Sequence, residues 1–467
     1  MLRYAAAAGA SLLVAACRRA DTEPQSAQAV FAQGGALRID FFHQLASGDE
    51  RFELARVRAE PRWAGRIERL DEAPDWGDYR FSLYDARGGA LIFREGFDSS
   101  IAPNARGAAT QHSVRFPLPL RAVDAVIEKR RPGSTFTEAW RLTIDPADAA
   151  IERAAAARAT RVETLLSHGD PASKVDIAIV GDGYPDREYA KFIADAKRAS
   201  DYLFSVEPFR RRMRDFNVHA VFSPSAASGV TDPYSGVRKD TPLRCTYGSG
   251  EAERSLYVGD HYALREAAAS APYDFLLVLA NSRRYGGSAH FGGPAVVAID
   301  SAFAKYLVVH EFAHVIGGLA DEYYVPAAGG PVYTGNVEPW NPNVTIVPEQ
   351  AKWRDPASGA APQPLSWNKA EYDRYFAGYV RRYTALRDRR ADETAVENFM
   401  RHESVRQAAL LAKAGTLRRV GLFEGANGYA KGVFRSEASC IMLSLQSDYF
   451  CHACALAIET MIDRHCV

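Results

Sequence analysis

Between Ser301 and Tyr324 the chain reads SAFAKYLVVHEFAHVIGGLADEYY. No proline interrupts the run, and Asp300 or Ser301 offers an N-cap, so a helix is expected here. Gly317-Gly318 supplies its stop, because glycine tolerates the left-handed conformation. The run is apolar enough that such a helix must be buried, yet it carries His310, Glu311 and His314 in its middle. Groups of that kind are costly inside a protein unless they have partners. Residues four apart share a helix face, so His310 and His314 can donate nitrogen to one ion. Glu311 lies about 100° further round, placed to touch a metal-held water without ligating the metal. Zinc suits this set, since it is catalytic when three protein ligands leave a position for water. The ordinary account of such a motif is two satisfied core histidines. Asp321 and Glu322, directly behind the glycines, weigh against it.

A buried helix needs layers around it, and the flanking sequence supplies them. KVDIAIVGDGY, NVHAVFS, YDFLLVLAN and PAVVAID read as buried strands. Helical spacing appears between them, in DREYAKFIADAKRASDYLF and near residues 252–270. Strands alternating with helices make a mixed α/β sheet, and its last strand feeds the helix of the opening segment. GDGY, Gly181 to Tyr184, lacks the glycine spacing and lysine of a phosphate loop and reads as a strand-ending turn. Upstream, ALRIDFF, YRFSLYDARG and AWRLTID alternate with period two between Gly, Pro and Asp breaks. Many such short strands suggest a β-sandwich. The expected order is therefore a sandwich at 34–146, an Ala/Arg-rich helical linker at 147–172 and an α/β domain from 173 to 467. The class is α+β with an α/β part. Residues 330–400 read as loops and helices elaborating the second domain.

Lys+Arg and Asp+Glu both number 57, which argues against a nucleic-acid-tracking surface. MLRYAAAAGASLLVAAC opens the chain with one cation, an apolar stretch and then Cys17. It is too short to span a membrane and reads as a signal segment, residues 1–17. It resembles a bacterial lipoprotein signal, implying a lipidated Cys17 as membrane anchor and an outer-membrane or cell-surface location. Plain secretion is the other reading. Residues 18–33 form a tether. Downstream lie Cys245, Cys440, Cys451, Cys454 and Cys466, for which disulfides are the default in an exported protein. The alternative is a second metal site, with His452 and His465 among the thiols.

His310-Glu311-Phe312-Ala313-His314 followed by Gly317-Gly318-Leu319-Ala320-Asp321-Glu322-Tyr323 resembles the signature of the IgA-peptidase-like (M64) metallopeptidases, relatives of the metzincins. The resemblance continues through VDIAIVGDGY, through Gly421 to Met442, and into the strand-rich N-terminal part. It implies a zincin catalytic domain with a mixed twisted sheet and an active-site helix. The metzincin pattern puts its third ligand at position 320, which is Ala320 here and cannot bind metal. Asp321 is the expected third ligand, with Glu322 in reserve. Met442 is the expected methionine-turn residue beneath the histidines, and a bridge from Cys440 to a downstream cysteine would pin that turn. The implied activity is zinc-dependent hydrolysis of peptide bonds in extracellular proteins or glycoproteins, with Glu311 as general base. Tyr323, Tyr429 and Tyr449 are candidate oxyanion donors. Arg283 to Gly293 is a candidate substrate-binding strand edge, with His290 as a rim residue. Two other functions are compatible with the sequence: an adhesion lipoprotein with a structural metal, and a zinc hydrolase acting on a non-peptide amide.

Overall fold

The computed structural model describes residues 30–46, 49–99, 109–153, 160–249, 252–324, 331–354 and 362–466. The signal segment, Cys17 and nearly all of the tether lie outside these residues. No helix among them is long and apolar enough to cross a membrane.

Among the described residues, eight strands build the N-terminal domain: β1 (Phe31–Ala46), β2 (Asp49–Glu60), β3 (Tyr79–Asp85), β4 (Leu91–Phe97), β5 (Ala109–Pro119), β6 (Val123–Arg130), β7 (Phe136–Ile144) and β8 (Glu152–Arg153). They form two four-stranded sheets, ordered β5-β1-β2-β8 and β4-β3-β6-β7. One apolar cluster joins them, with Leu37, Ile39 and Phe116 facing Phe81, Leu83 and Ile127. That is the expected sandwich, begun three residues early at Phe31. The alternating positions of β1 are polar yet also buried. Arg38 reaches Asp40 at 2.8 Å, Glu60 at 2.6 Å and, across the domain boundary, Glu266 at 2.9 Å. The second face of the sandwich is thus covered by the next domain through paired charges, which removes the cost of burying them singly.

The second domain begins with β9 (Arg161–Leu166), β10 (Val175–Asp182), α1 (Tyr189–Leu203), α2 (Phe209–Arg212) and β11 (Phe216–Phe222). It continues through β12 (Thr246–Ser249), β13 (Ala252–Tyr257), α3 (His261–Ala268), β14 (Phe275–Ala280), β15 (Gly287–Ser288), β16 (Pro294–Ala298) and α4 (Ala304–Gly317). The main sheet runs β15-β16-β14-β10-β11-β9. Its four inner strands are parallel, and β15 and β9 close the two edges antiparallel. Ile177 and Ile179 of β10 face α1 and α4, while Ala178 and Val180 face α3. Both faces are covered, which is why these strands are continuously apolar. Gly183 ends β10 at φ 81°, and a Cβ there would meet the Gly229 carbonyl oxygen at 2.6 Å, so GDGY is the turn expected of it.

Two expectations are corrected. The linker at 147–172 holds no α-helix among its described residues: Arg161–Leu166 is strand β9, and only a single 3-10 turn begins at Pro171. Alanine and arginine favour helix, but the open edge of β11 offers hydrogen bonds, and Leu165 and Leu166 gain a place against the core. The helix placed near 252–270 is half strand. Gly259 and Asp260 break it, and Asp260 caps α3 by accepting from the Ala263 amide at 3.0 Å.

The remainder is β17 (Val344–Thr345), α5 (Lys369–Asp388), α6 (Glu393–Ala412), β18 (Phe423–Ala426), β19 (Tyr429–Arg435) and α7 (His452–His465). Strands β17-β19-β18 form a small sheet, and α7 lies against α4, with Ile458 near Gly317. Helix α4 is therefore enclosed between the main sheet and the C-terminal elements.

Candidate metal centre

Helix α4 starts at Ala304, three residues later than the expected cap implies. Asp300 is occupied elsewhere, held by Lys191 at 2.7 Å and Arg198 at 3.1 Å. Ser301 instead closes a turn, its carbonyl accepting from the Ala304 amide at 3.0 Å. The far end behaves as expected. Gly318 is left-handed at φ 58° and its amide bonds back to His314. The reversal brings Asp321 beside the histidines. His310 Nε2 and His314 Nε2 are 3.2 Å apart, and Asp321 Oδ1 lies 3.1 Å from the first and 3.4 Å from the second.

The outer nitrogens fix the direction of the rings. His314 Nδ1 donates to the Leu319 carbonyl at 2.6 Å. His310 Nδ1 faces the Ile441 carbonyl at 3.2 Å and the Tyr306 hydroxyl at 3.0 Å. A carbonyl can only accept, so both Nδ1 atoms carry protons and both Nε2 lone pairs turn inward. They meet Asp321 Oδ1, which is buried and has no hydrogen-bond partner. Three converging lone-pair atoms demand a cation. A proton can serve: burial would lower the His314 imidazole, but the Asp321 carboxylate outweighs it and lifts His314 to about 9. Burial would likewise raise Asp321, yet the two imidazoles hold its carboxyl far below the usual range. A divalent ion answers the same demand, because bonds of about 2.0–2.1 Å in a tetrahedron give donor separations of about 3.3–3.4 Å. The residues present therefore fit a metal.

Glu311 sits beside this triangle and not in it. Burial raises its carboxyl, with the neighbouring imidazoles opposing. It lines a cavity of about 540 Å³ together with both histidines, Asp321, Arg254 and Tyr323. Tyrosines 375, 379 and 383 of α5 form part of the lining, and Gly287 and Ser288 of edge strand β15 form another part.

The other expected residues separate cleanly. Glu322 does not join the histidines: its Oε1 faces the thiols of Cys451 at 3.1 Å and Cys454 at 3.3 Å. Met442 is wholly buried, but its turn meets the site through backbone. The Ile441 carbonyl holds His310, and the Met442 carbonyl accepts from the Glu322 amide at 2.9 Å. Tyr323 lines the cavity, its hydroxyl accepting from Arg254 at 3.3 Å. Tyr429 packs on Tyr333 and Tyr449 under Arg418, and neither lines the cavity. His290 is half-buried beside His261 and apart from the metal group. All five cysteines beyond Cys17 are free thiols, so the expected disulfides, including one from Cys440, are absent. Cys440 and Cys454 Sγ are 3.8 Å apart, well beyond the about 2.05 Å of a bonded pair. His452 is exposed and His465 packs on Phe275, so neither joins the thiols.

Two residues that support the site lie outside the sequence expectations. Tyr306 precedes His310 by one helical turn, a spacing that could have suggested its role. Asn343 lies in a distant loop, yet its side chain accepts from the Ala320 amide and donates to the Ala320 carbonyl, both at 2.9 Å. It clamps the residue that precedes Asp321.

A metallopeptidase is the class of protein that this fold and site define, and comparison with known families agrees. Residues 163–462 match the family described as IgA Peptidase M64, and residues 29–141 match the Peptidase M64 N-terminus. The chain belongs to the M64 peptidase family. No curated protein matches it.

Proposed function

We propose that this chain is a zinc-dependent endopeptidase acting on extracellular proteins or glycoproteins, with His310, His314 and Asp321 as ligands and Glu311 as general base. The observation that carries this reading is the inward triangle of two imidazole nitrogens and one orphaned carboxylate oxygen, opening on a cavity. Two neutral imidazoles and a carboxylate suit zinc and leave one corner for solvent. When bound, the ion supplies Lewis acidity towards water and the scissile carbonyl. Glu311 takes the proton from the attacking water and delivers it to the leaving amine. Tyr323 and Arg254 are the cavity donors suited to the developing oxyanion. Substrate backbone adds along β15, the outermost strand of the sheet, which borders both the cavity and Glu311. Export and anchoring through Cys17 complete the reading and rest on the N-terminal sequence alone.

Casein or a peptide library, incubated with the protein with and without a metal chelator, tests it. Cleavage that the chelator stops and added zinc restores is the expected result. A zinc-loaded protein that cuts no peptide would remove the peptidase reading.

The seating of Glu311 can be tested separately. A Cβ at Gly287 would stand 2.7 Å from Glu311 Oε1 and 3.0 Å from its Cγ. Gly287→Ala therefore displaces the carboxylate and is expected to lower kcat about 10²-fold, with the melting temperature little changed. Unchanged kcat in a folded variant would mean that the position of Glu311 is not critical.

A further inference from the structure

A second constellation lies behind the first. It comprises Glu322, Cys440, Cys451 and Cys454, all fully buried, with donor atoms within 4.8 Å of one another. Three elements supply it. Glu322 comes from the loop leaving α4, Cys440 from the turn before Met442, and Cys451 and Cys454 from the start of α7. We propose that these four residues bind a structural zinc ion, distinct from the one at His310, His314 and Asp321.

The spacing fits a tetrahedron. Metal–sulfur bonds of about 2.3 Å and a metal–oxygen bond of about 2.0 Å put sulfurs about 3.8 Å apart and sulfur and oxygen about 3.5 Å apart. Here the Cys440 and Cys454 sulfurs are 3.8 Å apart, and Glu322 Oε1 lies 3.1 Å from the Cys451 sulfur and 3.3 Å from that of Cys454. A buried carboxylate is costly without a cation. Glu322 Oε2 has no hydrogen-bond partner. The nearby Arg435 guanidinium gives its terminal N–H groups to the carbonyls of Glu424, Gly425 and Ala438 and does not bond the carboxylate.

The surroundings also favour thiolates. Backbone amides of Met442 and Cys451 donate to Cys440 Sγ at 3.4 Å and 3.2 Å. Cys451 is the N-cap of α7 and Cys454 lies in its first turn, where the helix dipole stabilises negative charge. Cys451-x-x-Cys454 has the two-residue spacing of zinc ligand pairs, and a thiolate-rich tetrahedral set selects zinc. Four protein ligands leave no corner for solvent, so this ion does no chemistry. Its effect is positional. Glu322 adjoins Asp321, and Cys440 adjoins Ile441, whose carbonyl orients His310. The ion ties those two segments together beneath the candidate active site.

Metal content separates this site from the first. The whole protein, purified with zinc, is expected to hold two ions per chain, and His310→Ala/His314→Ala is expected to keep one. Cys454→Ser is expected to lose the second ion and to weaken zinc binding at the histidines about 10–100-fold, the usual cost of losing support behind a ligand. Should that variant fail to fold, cobalt in the unaltered protein decides the matter. Thiolate-to-cobalt charge-transfer absorption, insensitive to peptidase activity, is expected. A histidine double variant that folds without zinc would overturn the proposal. So would cobalt spectra lacking thiolate bands, or peptide mapping that recovers a disulfide among Cys440, Cys451 and Cys454. None of these outcomes depends on whether any peptide is cleaved, so failure of the endopeptidase reading would remain distinguishable.

Discussion

Glu311→Gln is expected to lower kcat/KM for any peptide substrate by about 10²–10⁴-fold while leaving the metal content unchanged. The amide keeps the shape and fills the same space against Gly287, but it cannot accept a proton at neutral pH. Glu311 is next to the proposed ligand His310 in sequence and is not part of the donor triangle, so removing its charge leaves the two Nε2 atoms and Asp321 Oδ1 in place. The paired measurement is steady-state cleavage and metal analysis on the same sample. Full activity in the variant would strip Glu311 of its role as base.

The second large effect is expected at Asp321. Asp321→Ala removes the acidic oxygen that lies within 3.4 Å of both histidines. The zinc dissociation constant should rise by more than the 10–100-fold that losing a ligand's hydrogen-bond partner costs. Activity at limiting zinc should fall with it. Competition with a chromophoric chelator measures the affinity directly. His314 should respond as well, because the carboxylate that lifts its imidazole to about 9 is gone, so ring titration by NMR in metal-free protein should show the value falling. An Asp321→Ala chain that bound zinc as tightly as before would transfer the third ligand to another residue.

Much of this arrangement was legible in the residues. The apolar helix with His310 and His314 four apart could be read because burial and helical periodicity both leave marks on local sequence. The choice between Asp321 and Glu322 could not be settled that way. It depends on how far Gly318 turns the chain and on Asn343 gripping Ala320 from a separate loop. The sandwich was legible through alternation, but the burial of Arg38 was not, since one of its partners, Glu266, belongs to the other domain. The segment at 161–166 has a composition that favours helix, while the deciding influence is the unfilled edge of β11. Cysteine spacing suggested bridges or a His-containing site. The actual neighbour of the three thiols is a glutamate more than a hundred residues upstream, and only the fold brings them together.

The adjacency of Asp321 and Glu322 has a consequence for how this loop can vary. One carboxylate turns towards imidazoles and the next towards sulfurs, so the segment from Gly318 to Tyr324 works like a two-toothed key whose teeth fit different locks. Deleting or inserting a single residue there would present the wrong tooth to each lock at once. Chains of this design should therefore keep the length of the segment fixed and accept substitution there only away from Gly318, Asp321 and Glu322.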